Sequence, residues 1–204
     1  MNSGLAVACA TAVLKSILEN SLVQGELGAQ LGDAHVSTLP PDRVPIGAEE
    51  PSQLNLFLYR LTPNTSWRND ARSNGHKNGE AANTHKSALW LDLHYLVTAY
   101  GEHDLVAEIL LGHAMRVLHS TGKLDATAVQ NALSTGAPNG KTTILSPGRA
   151  VLATASLSKV LEEMSIVPEF LGTEELARMW SALQARYRPS VTYKVSAAVI
   201  HAEH

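Results

Sequence analysis

Residues 88 to 100 alternate between apolar and mixed side chains without a break, and this long pattern restricts the fold more than any other feature. A period of two residues is that of a β-strand with one side facing a core. The residues expected to face the core are Leu89, Leu91, Leu93, Tyr95, Val97 and Ala99. The chain is therefore expected to contain a sheet with one predominantly apolar face.

Two further segments alternate in the same way. In residues 53–62, Leu54, Leu56 and Leu58 share one side, and Pro63 ends the strand because proline cannot donate a ladder hydrogen bond. Residues 190–202 form the last predicted strand, and a short apolar stretch surrounds Val36. In residues 150–166 the sequence leaves a helix and a strand open, the strand beginning at Ser165-Ile166-Val167.

Helical spacing of apolar residues predicts four helices, at residues 4–23, 102–119, 123–136 and 173 to about 187. The turn before the second helix is assigned to Gly101, and the cap of the last helix to Thr173. One-sided strands and amphipathic helices together predict an α+β fold with a mainly antiparallel sheet covered by helices. The amino-acid composition does not change abruptly along the chain, so residues 1–204 are expected to form a single domain.

The first helix has a single narrow polar stripe of Thr11, Lys15 and Glu19. We expect it to be buried on more than one side, either by the sheet and a second helix or by the sheet and a neighbouring subunit. Its apolar run resembles a short signal peptide, but no Lys or Arg precedes it. An ordinary helix is therefore the favoured interpretation.

Charge and cysteine content exclude some classes of protein. The net charge of −3 argues against wholesale nucleic-acid binding, which usually needs a basic surplus. The single cysteine, Cys9, excludes an internal disulfide, and its apolar surroundings predict a buried, inert thiol.

No motif predicts catalysis or a cofactor. The segment GAPNGKT, residues 136–142, has three residues between its glycines where a phosphate-binding loop needs four. His94 and Asp92 share a strand face and are the one pair that could ligate a metal, but the sequence offers no HExxH motif. The acidic pairs, including Glu49-Glu50, are expected to be solvated. We therefore predict no catalytic residue, no metal site and no cofactor.

Residues 64 to 87 form an unusually long polar segment. Trp67, Arg68 and Arg72 could stack on nucleic-acid bases, but Trp and Arg are also the usual anchors of protein interfaces. With a net negative chain the protein contact is favoured. The predicted subunit or tube contact comprises Asn64, Trp67, Arg68 and Arg72.

Four segments together resemble one family: LNLFLYRLTPNTSWRN (54–69), LWLDLHYLVTAYG (89–101), LLGHAMRVLHSTGKL (110–124) and ELARMWSALQARYRPSVTYKVS (175–196). They are similar to the N-terminal domain of cap, or tail-terminator, proteins of extracellular contractile injection systems of the antifeeding-prophage and virulence-cassette type. The resemblance covers residues 36–202, and it implies a phage tail-terminator-like fold and a structural role without catalytic residues.

The resemblance further implies a ring, expected to be hexameric, on the distal end of the inner tube. Such a ring ends tube growth and anchors the last layer of the sheath, so the implied partners are further copies of the chain, the inner tube protein and the sheath protein. Neither nucleic acid nor a membrane is an expected partner. Assembly is expected in the bacterial cytoplasm, in a phage-tail-like particle that can be released from the cell.

Two alternatives stay open at this point. The chain could be a baseplate adaptor or assembly chaperone of the same particle, or a metal-dependent hydrolase that uses His94 and Asp92. Many members of the resembled family extend past the last strand, so contacts made by such an extension are not expected from residues 1–204.

Overall fold

The structure is a computed structural model that describes residues 5–25, 27, 30–31, 34–47, 50–64, 88–134, 152 and 163–201. The helices are α1 (Ala6–Gln24), α2 (Val106–Thr121), α3 (Ala126–Ser134) and α4 (Thr173–Ala182), with a 3₁₀ turn at Pro41–Arg43. The strands are β1 (His35–Ser37), β2 (Gln53–Pro63), β3 (Ala88–Tyr100), β4 (Lys123–Asp125), β5 (Glu163–Glu169) and β6 (Ser190–His201).

Within the described residues, six strands form one sheet in the order β1-β2-β3-β6-β5-β4. The short edge strand β1 runs parallel to β2, and the other four pairings are antiparallel. The long strands β2, β3 and β6 occupy the centre. The predicted α+β class with a mainly antiparallel sheet is confirmed.

The first face of the sheet, defined as the side that α1 and α2 cover, carries the hydrophobic core. Leu93, Tyr95 and Val97 of β3 are fully buried there, as the alternation predicts. The core cluster also takes in residues of α1, α2, α3, β2, β5 and β6. The side chain of Leu89 lies outside the described part of the chain.

Helix α1 lies in this core and contacts β1, β2 and β6 together with α2 and α3. Its length and apolar composition would by themselves allow it to cross a membrane, but Cys9, Val13, Leu14 and Leu18 are completely buried within the fold. The predicted burial on more than one side is confirmed, and neighbouring helices of the same chain supply the second side. The polar stripe meets polar partners: Thr11 Oγ1 lies 2.8 Å from Tyr95 Oη, and Lys15 pairs with Glu19.

The second face of the sheet, on the opposite side, is also covered over part of its area. Leu96, Thr98 and Tyr100 of β3 are buried but are not members of the core cluster of the first face. Residues 184–188 after α4, together with residues 41–46, surround Tyr100 and leave a cavity of about 200 Å³. The sequence pattern did not predict this second buried layer.

Two helices begin later than predicted. Residues 101–105 form a turn, and α2 starts only at Val106. The chain reverses so tightly in this turn that a Cβ on Gly101 would lie 2.6 Å from Val106 Cγ1. The predicted helix 123–136 is a short strand, β4, followed by α3. Residues 135 and 136 lie outside the described part of the chain.

Two other boundaries were also wrong. Gly172, not Thr173, caps α4, and its N–H donates to Glu175 Oε2 at 3.0 Å. The helix ends at Ala182 rather than Tyr187, because Gln184 adopts a positive φ of 53°. In residues 150–166, the strand is confirmed where it is described and begins at Glu163, whereas residues 153–162, for which the helix stayed open, lie outside the described part of the chain.

Candidate interface on the second face of the sheet

His94 is the centre of a polar cluster on the second face of the sheet. Its ring is almost completely buried, and both ring nitrogens have partners. Nδ1 lies 2.8 Å from Glu169 Oε2, and Nε2 lies 2.8 Å from Thr62 Oγ1. Because an ionised carboxylate only accepts hydrogen bonds, Nδ1 must carry the proton.

Tyr59 and Arg60 complete this cluster. The register between β2 and β3 shifts between Leu58 and Arg60, so that Tyr59 forms a bulge. Tyr59 donates a 3.2 Å hydrogen bond to Glu169 Oε2, and Arg60 lies 3.5 Å from Glu169 Oε1. The bulge therefore places two successive side chains on the same face as His94.

The contacts within the cluster shift the pKa values of Glu169 and Tyr59. Burial by itself would raise the pKa of Glu169, but the hydrogen bond and charge of His94, the Tyr59 hydroxyl and Arg60 together lower it below the ordinary value. Burial and the neighbouring Glu169 carboxylate raise the pKa of Tyr59 to about 12. Glu169 is therefore a carboxylate, and Tyr59 a neutral phenol, at neutral pH.

Asn64 lies one step further along the same face. Its backbone N–H donates to Trp90 O at 2.9 Å, and its side-chain amide donates to Asp92 Oδ1 at 2.8 Å. Ser196 of β6 donates to the same Asp92 oxygen at 2.5 Å. The carboxylate of Asp92 thus joins β2, β3 and β6 at the point where β2 ends.

His94 and Asp92 are the pair that the sequence analysis named as possible metal ligands. The two do share a strand face, but the ring nitrogens of His94 and the bonded oxygen of Asp92 are each held by partners from the chain itself. Among the described residues, no three His, Cys, Asp or Glu side chains are placed to hold a metal ion. The pair is thus part of a hydrogen-bonded sheet surface.

Of the four predicted contact residues, only Asn64 falls within the described part of the chain. Trp67, Arg68 and Arg72 lie outside it, and their role stays a prediction. The cluster around His94 was missed by the sequence analysis, because Tyr59, Arg60 and Glu169 come together only through strand pairing. The adjacent Tyr59-Arg60 pair, which interrupts the alternation of β2, was its one visible signal.

Glu50 was also misjudged as a solvated residue. Its carboxylate is buried, accepts a 3.0 Å hydrogen bond from the Gly101 N–H and pairs with Arg188 at 2.6 Å. Arg188 in turn lies over the ring of Tyr100, 5.0 Å from its centroid. This ion pair fixes the segment after α4 to the second face.

The open part of the second face combines charge with exposed apolar area. Strand register aligns Arg60, His94, Lys194 and Val167 in one row across four strands. The side chain of Arg60 is 49% exposed and Val167 is 46% exposed. A rigid surface with an arginine, a tyrosine and exposed aliphatic area has the composition of a protein contact.

The sequence matches the model of one protein family, described as the Pvc16 N-terminal domain, over residues 10–204. No curated protein is significantly similar to the chain.

Two solved structures resemble the fold. The sheath/tube terminator of PVC, an extracellular contractile injection system, in the extended state is 16% identical with a TM-score of 0.46, over 92% of this chain and 57% of that chain. The anti-feeding prophage cap, an AFP tube-terminating cap, is 15% identical with a TM-score of 0.46, over 91% of this chain and 54% of that one. The chain spans just over half the length of these two proteins, and its family assignment rests on the family model.

Proposed function

The chain belongs to the Pvc16 N-terminal domain family, and on that premise we propose that it caps the inner tube of a contractile, phage-tail-like injection particle. The cap is a structural subunit that ends growth of the tube and anchors the last layer of the sheath. The family match over residues 10–204 is the observation that carries this proposal.

The described surface supports a structural role. The polar side chains of the second face are engaged with one another across β2, β3, β6 and β5, so they stiffen the sheet and leave little capacity for chemistry. A stiff sheet with an open, mixed polar and apolar face suits a subunit that is packed against others. Such a surface is better suited to assembly than to catalysis.

The partners of the proposed cap are further copies of the chain in a ring, expected to number six, together with the inner tube protein and the sheath protein. Asn64, Trp67, Arg68 and Arg72 contact a neighbouring subunit or the tube. The particle forms in the bacterial cytoplasm and is released with the cap in place. Neither nucleic acid nor a membrane takes part.

Electron microscopy of particles made with and without the chain tests the proposal. Co-expression with the cognate tube and sheath proteins should give tubes of uniform length with extended sheaths. Omission of the chain should give tubes of variable length and unstable sheaths, because nothing then stops polymerisation. A labelled chain should be found at the end opposite the baseplate.

Two outcomes contradict the proposal. A chain that is absent from purified particles, with tube lengths unchanged by its omission, is not a terminator. A label at the baseplate end identifies an adaptor instead. Solution monomers do not decide the question, because a ring can form on the tube alone.

A further inference from the structure

The start of helix α2 presents an acidic and apolar surface to solvent. Leu105 is 59% exposed and Ile109, one helical turn later, is 41% exposed. Three exposed carboxylates flank them, those of Glu102, Asp104 and Glu108, and none forms an ion pair within the described residues. We refer to these five residues as the helix surface.

The backbone of Leu105 is strained in this position. Its φ is 64°, in the left-handed region that a branched, non-glycine residue rarely adopts. Leu105 is the N-cap residue of α2: its carbonyl accepts a 3.0 Å hydrogen bond from the Ile109 N–H, but no side chain caps the helix. Strained residues cluster at functional sites, and here the strained residue holds an apolar side chain in solvent.

The row across the second face contains two basic residues, Arg60 and Lys194, and no acidic residue. The exposed Arg60 and Val167 and the half-buried Lys194 are defined here as the strand surface. Lys194 forms no ion pair within the described residues, and Arg60 pairs only with Glu169, at 3.5 Å. Asp92, an acidic residue beside the row, accepts hydrogen bonds from Asn64 and Ser196.

The two surfaces lie on opposite sides of the molecule. Helix α2 packs on the first face of the sheet, through Leu110, Ala114 and Leu118 in the core cluster, so the helix surface points away from the sheet. The strand surface belongs to the second face. A contact between different surfaces on opposite sides of a subunit is heterologous, which is the kind that generates rings.

From this arrangement we infer that the helix surface of one copy packs against the strand surface of the next copy, as the contact that repeats around the ring. This rests on the proposed function and names the surfaces that build it. Carboxylates of the first copy then face Lys194 and Arg60 of the second, and Leu105 and Ile109 cover Val167. A two-fold contact is disfavoured, because it would place either acidic groups opposite acidic groups or basic groups opposite basic groups.

Paired cysteines test this inference directly. Glu108→Cys and Lys194→Cys are introduced together, and a short bismaleimide is added to the purified chain and to assembled particles. The native Cys9 does not interfere, because it is completely buried and burial raises the pKa of its thiol to about 11. We expect a ladder of cross-linked multimers on a denaturing gel from the double variant.

The single-cysteine variants are the matched controls. In a heterologous contact residue 108 meets residue 194, so neither single variant can link two copies. A dimer band from Glu108→Cys alone would mean a two-fold contact through α2 and would overturn the inference. A link to the tube or sheath protein, or no ladder in either preparation, would overturn it as well.

Charge exchange gives an independent measurement. Glu108→Lys and Lys194→Glu should each reduce association about tenfold, and the double exchange should restore it to within about threefold of the unaltered chain. Arg43→Glu, an equal charge change in the 3₁₀ turn outside both surfaces, should have no effect. Additive losses in the double variant would contradict the pairing, whereas tubes of uncontrolled length with intact cross-links would contradict the proposed function alone.

Discussion

The Nδ1 atom of His94 on β3 lies 2.8 Å from the Oε2 atom of Glu169 on β5, although β6 runs between the two strands. The side chains of His94 and Glu169 therefore meet above a strand to which neither belongs. Glu169 is the last residue of β5, and its backbone carbonyl accepts a hydrogen bond from Thr192 on β6. The pair thus fixes the position at which β5 ends and the chain turns toward α4.

Removal of the Glu169 carboxylate should destabilise the fold. Glu169→Ala leaves the buried Nδ1–H of His94 without its acceptor and is expected to cost about 2 kcal/mol of unfolding free energy. Glu169→Gln keeps an acceptor oxygen and should cost about 1 kcal/mol. Urea denaturation at pH 7 measures both variants.

The matched control for this series is Glu174→Gln. Glu174 also pairs with an arginine, Arg178, but both side chains are more than three-quarters exposed. Its loss should cost less than about 0.5 kcal/mol, because solvent screens such a pair. Equal losses of unfolding free energy at positions 169 and 174 would show that the cluster around His94 stabilises the fold no more than an exposed ion pair does.

The stabilising charge of Glu169 should disappear in acid. Its folded-state pKa lies below the ordinary value of 4.5, so the unfolded chain takes up the proton first as the pH falls. The stability advantage of the unaltered chain over Glu169→Gln should be complete above pH 4.5 and should shrink as the pH is lowered further. An advantage that stays constant down to about pH 3 would contradict this prediction.

His113 should produce a separate loss of stability at higher pH. Burial, and then the charge of Arg116, lower its pKa below the ordinary value of 6.5. The unfolded chain again binds the proton first, so the unfolding free energy should fall as the pH drops below 6.5. His113→Gln should flatten this part of the pH profile and leave the part below 4.5 due to Glu169 in place.

The side-chain contact of His113 offers the control for that measurement. His113 Nε2 lies 3.0 Å from Ser21 Oγ and so connects α2 with α1. Ser21→Ala removes this contact but keeps the titrating ring. The pH-dependent loss should therefore persist in Ser21→Ala, and its disappearance there would mean that the hydrogen bond, rather than burial, controls the pKa.

Local patterns predicted the central strands and α1 because those elements follow a simple rule. Leu93, Tyr95 and Val97 recur with period two on one face of β3. Because that face is apolar, it is the one that packs against the core. The core of the first face could be predicted to this extent. The family resemblance was likewise visible in contiguous segments and is confirmed over residues 10–204.

The site on the second face could not be predicted in the same way. A bulge at Tyr59 and the pairing of β5 with β6 bring together residues more than a hundred positions apart, such as Tyr59 and Glu169. Glu50 is buried only because Arg188 and the Gly101 N–H are brought to it by the fold. Such contacts depend on tertiary geometry, which the composition and period of a short segment do not contain.

Leu105→Asn should stabilise the isolated chain while weakening its assembly. Asparagine tolerates the left-handed region better than leucine, so relief of strain should raise the unfolding free energy by about 0.5–1 kcal/mol. The same change removes an exposed apolar side chain from the helix surface. Gln130→Asn, on the exposed side of α3, is the control for the effect of a surface asparagine. A loss of stability in Leu105→Asn would show that the backbone of Leu105 is not strained.

Trp67 and Arg68 should matter for assembly and not for folding. As interface anchors they would contribute to binding free energy only when a partner is present. Trp67→Ala combined with Arg68→Ala should therefore leave urea denaturation within about 0.5 kcal/mol of the unaltered chain, while the fraction of particles that carry the chain at the tube end falls severalfold in electron micrographs.

Another tryptophan of the chain provides the comparison. Trp180 is 2% exposed, and Trp180→Ala should lower the unfolding free energy by about 3–5 kcal/mol because it leaves a cavity. If Trp67 instead covers the end of its own sheet, its double variant should show a stability loss of the same kind. If the double variant loses stability while the fraction of particles carrying the chain is unchanged, residues 64–72 do not form the tube contact. The side chain of Asn64 is in any case already bonded to Asp92 within the sheet.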